Sequence, residues 1–391
     1  MRICPNGGVR RALAGACAAL LAACSPGDDP DPTQGTLKVS LTDAPACGFD
    51  AVNVTVDRVR VHESAIATES DFGWSNVILN PARKIDLLTL TSGEPLSLGQ
   101  TTLPAGQYQQ LRLVLKPNAS GSPGNSVVPT GGAEVALQMP SDIQAGVKLI
   151  HQFTVEGGKL VELVLDFDAC RSVVQLANGD YELDPVVTVL PMDVAGRLTG
   201  TLGTAIFGAD VTQASVSAQK DGRVVRATVP DSSGNYALGS IDARLAPFDL
   251  VITLPGAATA VVSAVPVTAG GTTTVPVITL AAGSVIGTVV GTVSPAAALP
   301  ARVRAVQAAG SLPKVDVAGT NTSGAGDYLL SLPTAAVQLA RYSAASLAFS
   351  SATTATTAGR YTIEGTDVNG GTKSATADIG TADAVVNFTF P

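Results

Sequence analysis

Apolar and polar side chains alternate along most of the chain, and this alternation predicts β-strands. Every second residue is apolar in Leu37–Leu41, Leu111–Leu115 and Leu163–Phe167, which is the pattern of a strand with one buried face. Beyond the N-terminal segment, helical periodicity over ten or more residues is scarce, and the best candidate for a helical turn is the short segment Ile85–Leu90. The pattern therefore predicts an all-β protein.

Two segments depart from simple alternation. In Val52–His62 the apolar positions change face after Val56, and such a change within one strand predicts a bulge near Asp57 and Arg58. Val186–Leu190 is a continuous apolar run, which is typical of a strand buried on both faces. We therefore expect Val52–His62 to form an irregular strand and Val186–Leu190 to form a strand that is more buried than its neighbours.

The first residues, MRICPNGGVRRALAGACAALLAAC, have the composition of an export signal. A basic beginning is followed by an apolar run that is too short to remain as a membrane-spanning helix. The end of this run, Leu21-Ala22-Ala23-Cys24, resembles a bacterial lipoprotein lipobox, in which the cysteine is acylated and becomes the first residue of the mature chain. The resemblance implies a signal peptide over 1–23 and lipidation at Cys24, with Cys17 as a weaker rival.

The residues after the lipobox predict where the protein is held. Residues 24–35 are polar and rich in proline and aspartate, which is typical of a tether between a lipid and a folded domain. In bacterial lipoproteins an aspartate after the lipidated cysteine favours the inner membrane, and here that position is Ser25. We therefore expect the protein to lie in the bacterial cell envelope. Its membrane partner is expected to be the outer membrane, which it contacts through the lipid anchor.

Cys47 and Cys170 are the cysteines that remain outside the signal peptide and the lipidation site. Two thiols far apart in an exported chain predict a disulfide, because the envelope is oxidising. The alternative is a pair of buried free cysteines. Nothing in the cysteine spacing is typical of a zinc site.

Composition and charge narrow the classes of partner. Of the 391 residues, 46% are hydrophobic and 14% are charged, and the formal net charge is −8. This composition favours packed cores over intrinsic disorder. An acidic chain without basic clusters is a poor binder of nucleic acid, so no nucleic-acid partner is expected.

Five blocks in the first half of the chain carry a family resemblance. Their order and spacing resemble the bacterial domain of unknown function DUF4382. The resemblance implies an exported or lipid-anchored β-domain over 36–192, and it implies no particular chemistry. The blocks are 35–64 (GTLKVSLTDAPACGFDAVNVTVDRVRVHES), 85–90 (IDLLTL), 103–115 (LPAGQYQQLRLVL), 146–150 (GVKLI) and 165–174 (LDFDACRSVV).

The second half contains a weak internal repeat. Each copy has a glycine-flanked opening strand, a second strand, and a glycine-polar-tyrosine turn, which is Gly234-Asn235-Tyr236 in one copy and Gly326-Asp327-Tyr328 in the other. The pattern resembles carboxypeptidase-regulatory-like domains, which are small transthyretin-type sandwiches that serve as spacers or binding modules. The resemblance implies two sandwiches, over 193–282 and 283–391, with an inserted loop at Ser343–Thr357.

Candidate catalytic and metal-binding residues are few. His62 and His151 lie at strand ends without a nucleophile motif, so we interpret both as structural residues. Asp166 and Asp168 are two residues apart on a predicted strand, which places both carboxylates on one face. They are weak candidates for calcium, and pairing with Arg171 or Lys148 is the structural alternative.

Trp74 is the only tryptophan and follows Phe72 after one glycine. The two rings are candidates for a platform that stacks against a sugar, and packing at the edge of the first core is the structural alternative.

The sequence favours a non-enzymatic module that binds an envelope glycan or protein, and no catalytic residue or cofactor is assigned. A carbohydrate-active enzyme that uses carboxylates and a calcium-stabilised adhesion stalk remain alternatives. Which of these three functions applies depends on where the candidate side chains lie in the folded chain.

Overall fold

A computed structural model describes residues 33–43, 49–119, 123–203, 210–281, 284–309, 313–351 and 358–391. Strands dominate this part of the chain, which confirms the all-β prediction. No helix among these residues combines the length and apolar character needed to cross a membrane.

The N-terminal unit packs two sheets face to face. One sheet has the strand order β12-β9-β1-β4, and the other has the order β10-β11-β7-β6-β2-β5-β8, with β3 also paired to β2. The strands are β1 Gln34–Thr42, β2 Phe49–His62, β3 Ser75–Asp86, β4 Leu96–Pro104, β5 Gly106–Leu115, β6 Ser126–Pro129, β7 Val135–Gln138, β8 Val147–Val155, β9 Leu160–Phe167, β10 Val173–Gln175, β11 Tyr181–Leu183 and β12 Val187–Pro191.

The core of this unit consists of the alternating apolar residues that predicted its strands. Leu37 on β1, Leu113 on β5 and Phe167 on β9 are fully buried members of one cluster between the sheets. The register of β2 against both β3 and β5 shifts between Val56 and Arg58, so the predicted bulge is confirmed. The bulge keeps apolar side chains facing the core on both sides of the shift.

Two local predictions need correction. The expected helical turn at Ile85–Leu90 begins two residues later, as the 3₁₀ helix Leu87–Ser92, because Asp86 ends β3 and caps the helix by accepting from Leu88 N–H. The expected buried strand Val186–Leu190 is β12, which lies at the edge of its sheet and buries little beyond Leu190.

Helical segments in the described residues are all short. The α-helix α1 covers Ala169–Ser172. The other 3₁₀ segments are Ser141–Ile143, Met192–Val194, Val211–Gln213, Ala243–Leu245 and Ala296–Ala298.

The C-terminal half continues with four further sheets. Its strands are β13 Ala195–Thr201, β14 Ser215–Lys220, β15 Arg223–Thr228, β16 Asn235–Asp242, β17 Phe248–Thr253, β18 Ala260–Val265, β19 Thr272–Thr274, β20 Ile286–Ser294, β21 Arg302–Gln307, β22 Val315–Asn321, β23 Asp327–Pro333, β24 Gln338–Arg341, β25 Ser350–Ser351, β26 Arg360–Thr366, β27 Thr372–Asp378, β28 Ala384–Val385 and β29 Phe388–Thr389.

Two sandwiches with the same strand connectivity make up this half. In the first, β13 pairs with β16 and β19, and the facing sheet has the order β15-β14-β17-β18. In the second, β20 pairs with β23 and β28, and the facing sheet has the order β22-β21-β26-β27. The two orders coincide once β24 and β25, which lie between the fourth and fifth strands of the second sandwich, are set aside.

The glycine-polar-tyrosine turn has the same role in both sandwiches. Tyr236 lies opposite Gly200 on the opening strand of one sandwich, and Tyr328 lies opposite Gly291 in the other. A Cβ atom at Gly200 would lie 2.2 Å from the Tyr236 hydroxyl, and one at Gly291 would lie 1.7 Å from the Val386 carbonyl oxygen. Glycine is therefore required where the tyrosine crosses the opening strand.

The sequence did not predict how the two C-terminal sandwiches are joined. Strand β24 pairs in parallel with β18 and extends the sheet of the preceding sandwich, and β25 follows it. Behind this pairing, Val251 and Val261 pack with Ala309, Val315 and Val337 in a separate apolar cluster. Shared strands and a shared cluster couple the two sandwiches more firmly than a flexible linker would.

Candidate functional site

The structure places the predicted carboxylates Asp166 and Asp168 in different interactions. Asp166 Oδ1 lies 2.5 Å from Arg226 Nη1, in an ion pair between the N-terminal unit and the next sandwich. Asp168 lies beyond the end of β9 and caps α1 by accepting from Arg171 N–H at 2.9 Å. Asp168 also lies 4.0 Å from Arg171, one of the two structural partners expected from the sequence, whereas Asp166 pairs with Arg226, which the sequence did not indicate.

The surroundings of both histidines indicate a structural role. Ser64 N–H donates to His62 Nδ1 at 2.8 Å, and His62 Nε2 donates to the Phe72 carbonyl oxygen at 2.9 Å, so His62 holds both ends of one loop. His151 lies on β8, and burial lowers its pKa, with a smaller contribution from the positive charge of Arg244. Neither ring has the partners of a catalytic base.

No metal centre is formed in the described part of the chain, where three or more His, Cys, Asp or Glu side chains nowhere converge on one point. The lipidation candidate Cys24 and the disulfide candidate Cys47 lie outside the described residues. Cys170 lies in α1, and the preceding N–H group, of Ala169, donates to Asp43 Oδ1 at 2.9 Å. The lipidation and the disulfide therefore stay predictions.

The most distinctive surface feature is the loop between β2 and β3, residues 63–74, which we name the β2–β3 loop. Side chains from the sheet hold its backbone. Arg60 Nη1 donates to the Glu69 carbonyl oxygen at 3.1 Å, and Arg112 Nη2 donates to the Ala67 carbonyl oxygen at 3.1 Å. The loop backbone is therefore held by side chains of the underlying sheet, and the loop does not pair as a strand.

Trp74 anchors the end of this loop. Its indole Nε1 donates to the Thr68 carbonyl oxygen at 2.8 Å, and its ring centroid lies 5.0 Å from that of His62. The guanidinium carbon atoms of Arg60 and Arg112 lie 4.6 and 5.4 Å from the Trp74 ring centroid, within the range of cation–π attraction. The half-buried Trp74 is therefore a packing residue at the base of the loop.

Thr68 and Asp71 give the loop internal order. Thr68 N–H donates to Asp71 Oδ2 at 2.8 Å, and this hydrogen bond is the main reason that the pKa of Asp71 lies below its ordinary value. Asp71 therefore stays ionised near neutral pH and retains this turn.

Two large apolar side chains project from the loop into solvent. Phe72 is 100% exposed and Ile66 is 85% exposed, which are the two highest values among the exposed large hydrophobic residues. On a loop whose backbone is hydrogen-bonded to the sheet, these side chains form an apolar projection, which suits contact with a partner. The predicted platform of Phe72 with Trp74 is therefore divided, with one ring projecting and the other packed.

Sequence reasoning missed the arginines beneath this loop. In the sequence, Arg60 and Arg112 occupy ordinary polar positions of two alternating strands. Their common neighbour Trp74 lies just before the third strand, β3, so residue spacing does not connect the three side chains. The available signal was the position of Phe72 and Trp74 between polar residues in a strand connection, where apolar aromatic residues are unusual.

The geometry defines a chain of β-sandwiches with a displayed loop whose backbone is hydrogen-bonded to the sheet, and one comparison of sequences matches its first part. Residues 34–185 match the domain of unknown function DUF4382. This match confirms the resemblance for that segment and leaves the C-terminal resemblance a prediction. No curated protein matches the chain.

Solved structures with some likeness include three bacterial proteins. The Bacillus anthracis TIE protein is 13% identical with a TM-score of 0.18, over 92% of this chain and 51% of that one, so this chain spans about half of that protein. Two B repeat units of the collagen-binding protein of Staphylococcus aureus are 9% identical with a TM-score of 0.18, over 91% and 98%. The Corynebacterium diphtheriae major pilin SpaA is 10% identical with a TM-score of 0.16, over 91% and 99%. These scores are too low to show a shared function.

Proposed function

We propose that this protein is a non-enzymatic binding module of the bacterial cell envelope, anchored by a lipid at Cys24, whose recognition element is the β2–β3 loop. The observation that carries the proposal is the fully exposed ring of Phe72 beside the 85% exposed Ile66 on a loop with a fixed backbone. Because the loop backbone is already held by hydrogen bonds, binding has to order only the side chains, so more of their contact energy contributes to affinity.

The contacts of the candidate residues support binding rather than catalysis. His62 uses both ring nitrogens to hold Ser64 and Phe72, and Asp166 is paired with Arg226. These side chains serve the scaffold, whereas Ile66 and Phe72 make no comparable contribution to it.

The C-terminal sandwiches fit the role of a stiff spacer. Strand β24 is shared with the preceding sheet, and Gln219 makes a two-point contact with the next sandwich, donating to the Asp316 carbonyl oxygen at 2.7 Å and accepting from Asp316 N–H at 2.8 Å. We propose that these sandwiches are carboxypeptidase-regulatory-like spacers that keep the β2–β3 loop at a fixed place relative to them.

In the lipid-free Cys24→Ala protein, the double substitution Ile66→Ala and Phe72→Ala is expected to reduce retention on purified envelope fractions at least about fivefold. Because both side chains are exposed, the melting temperature should stay within the range of ordinary surface substitutions, about 0.5 kcal/mol in the free energy of unfolding. Retention is measured by sedimentation with separate glycan, protein and lipid fractions.

Val285 and Leu160 are suitable controls, since they are 71% and 55% exposed but lie far from this loop in sequence, Leu160 on β9 and Val285 just before β20. The double substitution of these two residues to alanine should leave retention unchanged. Equal retention of the loop variant and the lipid-free Cys24→Ala protein would refute the recognition role of the loop.

The substitution Cys24→Ala is expected to abolish acyl labelling and to release the protein from the membrane fraction. A single acyl chain gives only marginal membrane binding, and the stable anchoring of a lipoprotein rests on more than one chain at its cysteine. The measurement is incorporation of a clickable fatty acid, with Cys17→Ala as the control. Persistent labelling of the Cys24→Ala protein would show that another residue carries the lipid.

A further inference from the structure

Four polar side chains lie in one row across the outer face of the larger N-terminal sheet. Asn76 on β3 is paired in register with Arg60 on β2, Arg60 with Arg112 on β5, and Arg112 with Lys148 on β8. We name Arg60, Arg112 and Lys148 the basic row. Directly opposed positions of neighbouring strands lie about 5 Å apart, so three cations are adjacent on a protein whose net charge is −8.

Within the part of the chain that the structure describes, no carboxylate forms an ion pair with the basic row. Arg60 and Arg112 donate to main-chain carbonyl oxygens of the β2–β3 loop and face the Trp74 ring. The Nε atoms of both arginines are buried and make no hydrogen bond within the described residues. Because buried cations are normally paired, this arrangement leaves a positive potential at the surface beside the loop.

At Arg60 the nearby acidic side chain has a smaller effect than burial and the neighbouring arginines. Burial and the charges of Arg58 and Arg112 lower the pKa of Arg60, and the opposite effect of Glu69 is smaller. Asp57 lies 2.8 Å from Arg58 and pairs with it.

Glu63 and Asp71, the other carboxylates of the loop, are exposed on the loop itself. Lys148 is exposed at the opposite end of the row, on β8, which is the last strand of this sheet. The open approach for an anion is therefore from the β8 side.

The surroundings of the basic row include an apolar group that could contact a ligand in addition to its negative charge. Asn76 Oδ1 and both amide atoms of Gln110 are buried, and Gln110 is fully enclosed, so these amide groups belong to the packing of the sheet and do not meet a ligand. The exposed Phe72 ring offers an apolar face for C–H groups.

We propose that the basic row, together with Phe72, binds a saccharide that carries carboxylate groups, such as a uronic-acid-containing glycan. The guanidinium of Arg60 and the ammonium of Lys148 recognise the carboxylates, and the phenyl ring covers the apolar face of a sugar unit. Arg112 positions Arg60 and Trp74 and supplies charge. The inference deepens the proposed function, on which it rests, by naming the ligand class of the same region.

The experiment is calorimetric titration of the full-length protein in neutral detergent with oligogalacturonate. Fully methyl-esterified oligogalacturonate, which keeps the sugar and removes the charge, is the matched ligand control. We expect the unesterified, anionic oligogalacturonate to bind at least about tenfold more tightly than the methyl ester. We also expect the affinity of the anionic ligand to fall as the salt concentration is raised. Absence of binding, or equal binding of both forms, overturns the proposal.

Variants then locate the site. Arg60→Gln and Lys148→Gln are expected to weaken binding at least about tenfold and threefold, respectively. Arg360→Gln is the control, because Arg360 is a surface cation paired with Asp378 in the last sandwich. Equal losses in all three variants, or unchanged binding in Arg60→Gln protein of native melting temperature, overturn the assignment.

Two further results separate the ligand class from the proposed function. A single-stranded oligothymidine that binds as tightly as oligogalacturonate would show a general polyanion site and overturn the saccharide assignment. If the Ile66 and Phe72 variant loses envelope retention while oligogalacturonate fails to bind, the proposed function stands and the ligand class is wrong.

Discussion

Replacing Arg226 with methionine is expected to lower the free energy of unfolding by about 3 to 5 kcal/mol, because the substitution leaves the charge of Asp166 buried without its partner. Arg226 is only 5% exposed, and its guanidinium binds Asp166 Oδ1 at 2.5 Å and the Ser240 carbonyl oxygen at 3.2 Å. The pair lies between the N-terminal unit and the next sandwich, so its loss should weaken both their stability and their contact. Chemical denaturation of the native and variant proteins measures the change.

The cost of this substitution should depend on pH. Burial raises the pKa of the Asp166 carboxyl, with an additional upward contribution from Asp168 and an opposing one from Arg226. Without Arg226 the pKa rises further, so the folded variant binds a proton that the unfolded chain has already lost. Stability then falls as pH rises between the unfolded and folded pKa values. The variant should therefore approach the native stability at acidic pH and differ most above the folded pKa.

Two comparisons test this explanation. Arg244→Met removes an exposed ion pair with Asp242, in which the arginine side chain is 63% exposed, and should cost no more than about 1 kcal/mol. The double substitution Asp166→Leu and Arg226→Met should recover much of the loss, because it removes the buried charge as well as its partner. A loss in the double variant as large as in Arg226→Met would mean that packing, and not the unpaired charge, dominates.

Local patterns were sufficient for the strands and insufficient for their partners. The bulge between Val56 and Arg58 follows from a change of face within one strand, which is written in consecutive residues. Val186–Leu190 shows the opposite case, since an apolar run is compatible with a central strand and with the edge strand β12 that the fold forms. Sheet order depends on distant segments, and the sequence of one strand does not specify it.

The same distinction holds for the candidate site. The sequence singled out Trp74 and Phe72 correctly as unusual residues, but their separation into a packed ring and an exposed ring depends on Arg60 and Arg112. Likewise, Asp166 was noted for its spacing from Asp168, whereas its partner Arg226 lies 60 residues away in sequence. Such partners follow from tertiary contacts, for which residue spacing gives no signal.

Reduction of a disulfide between Cys47 and Cys170 is the other change with a large expected effect. The neighbouring chain segments support the pairing. Strands β1 and β9 run in parallel, with Thr42 opposite Asp166, and beyond them Ala169 N–H donates to Asp43 Oδ1 at 2.9 Å. The chain leading to Cys47 and the chain leading to Cys170 therefore leave the same end of one sheet side by side, where the approach of two Cα atoms to about 5.5 Å is feasible.

A bridge at this place would close a loop of about 120 residues, for which the chain-entropy account gives a stabilisation of about 4 to 5 kcal/mol, less any strain. We expect reduction to lower the melting temperature of the N-terminal unit by an amount that corresponds to this loss, and unreduced peptide mapping to find the two segments linked. The Cys47→Ser and Cys170→Ser double variant, which has no bridge to lose, should melt at the reduced temperature with and without reductant. Free thiols at both cysteines in protein isolated from the envelope would contradict the pairing, and the stability of the N-terminal unit would then rest on its apolar core alone.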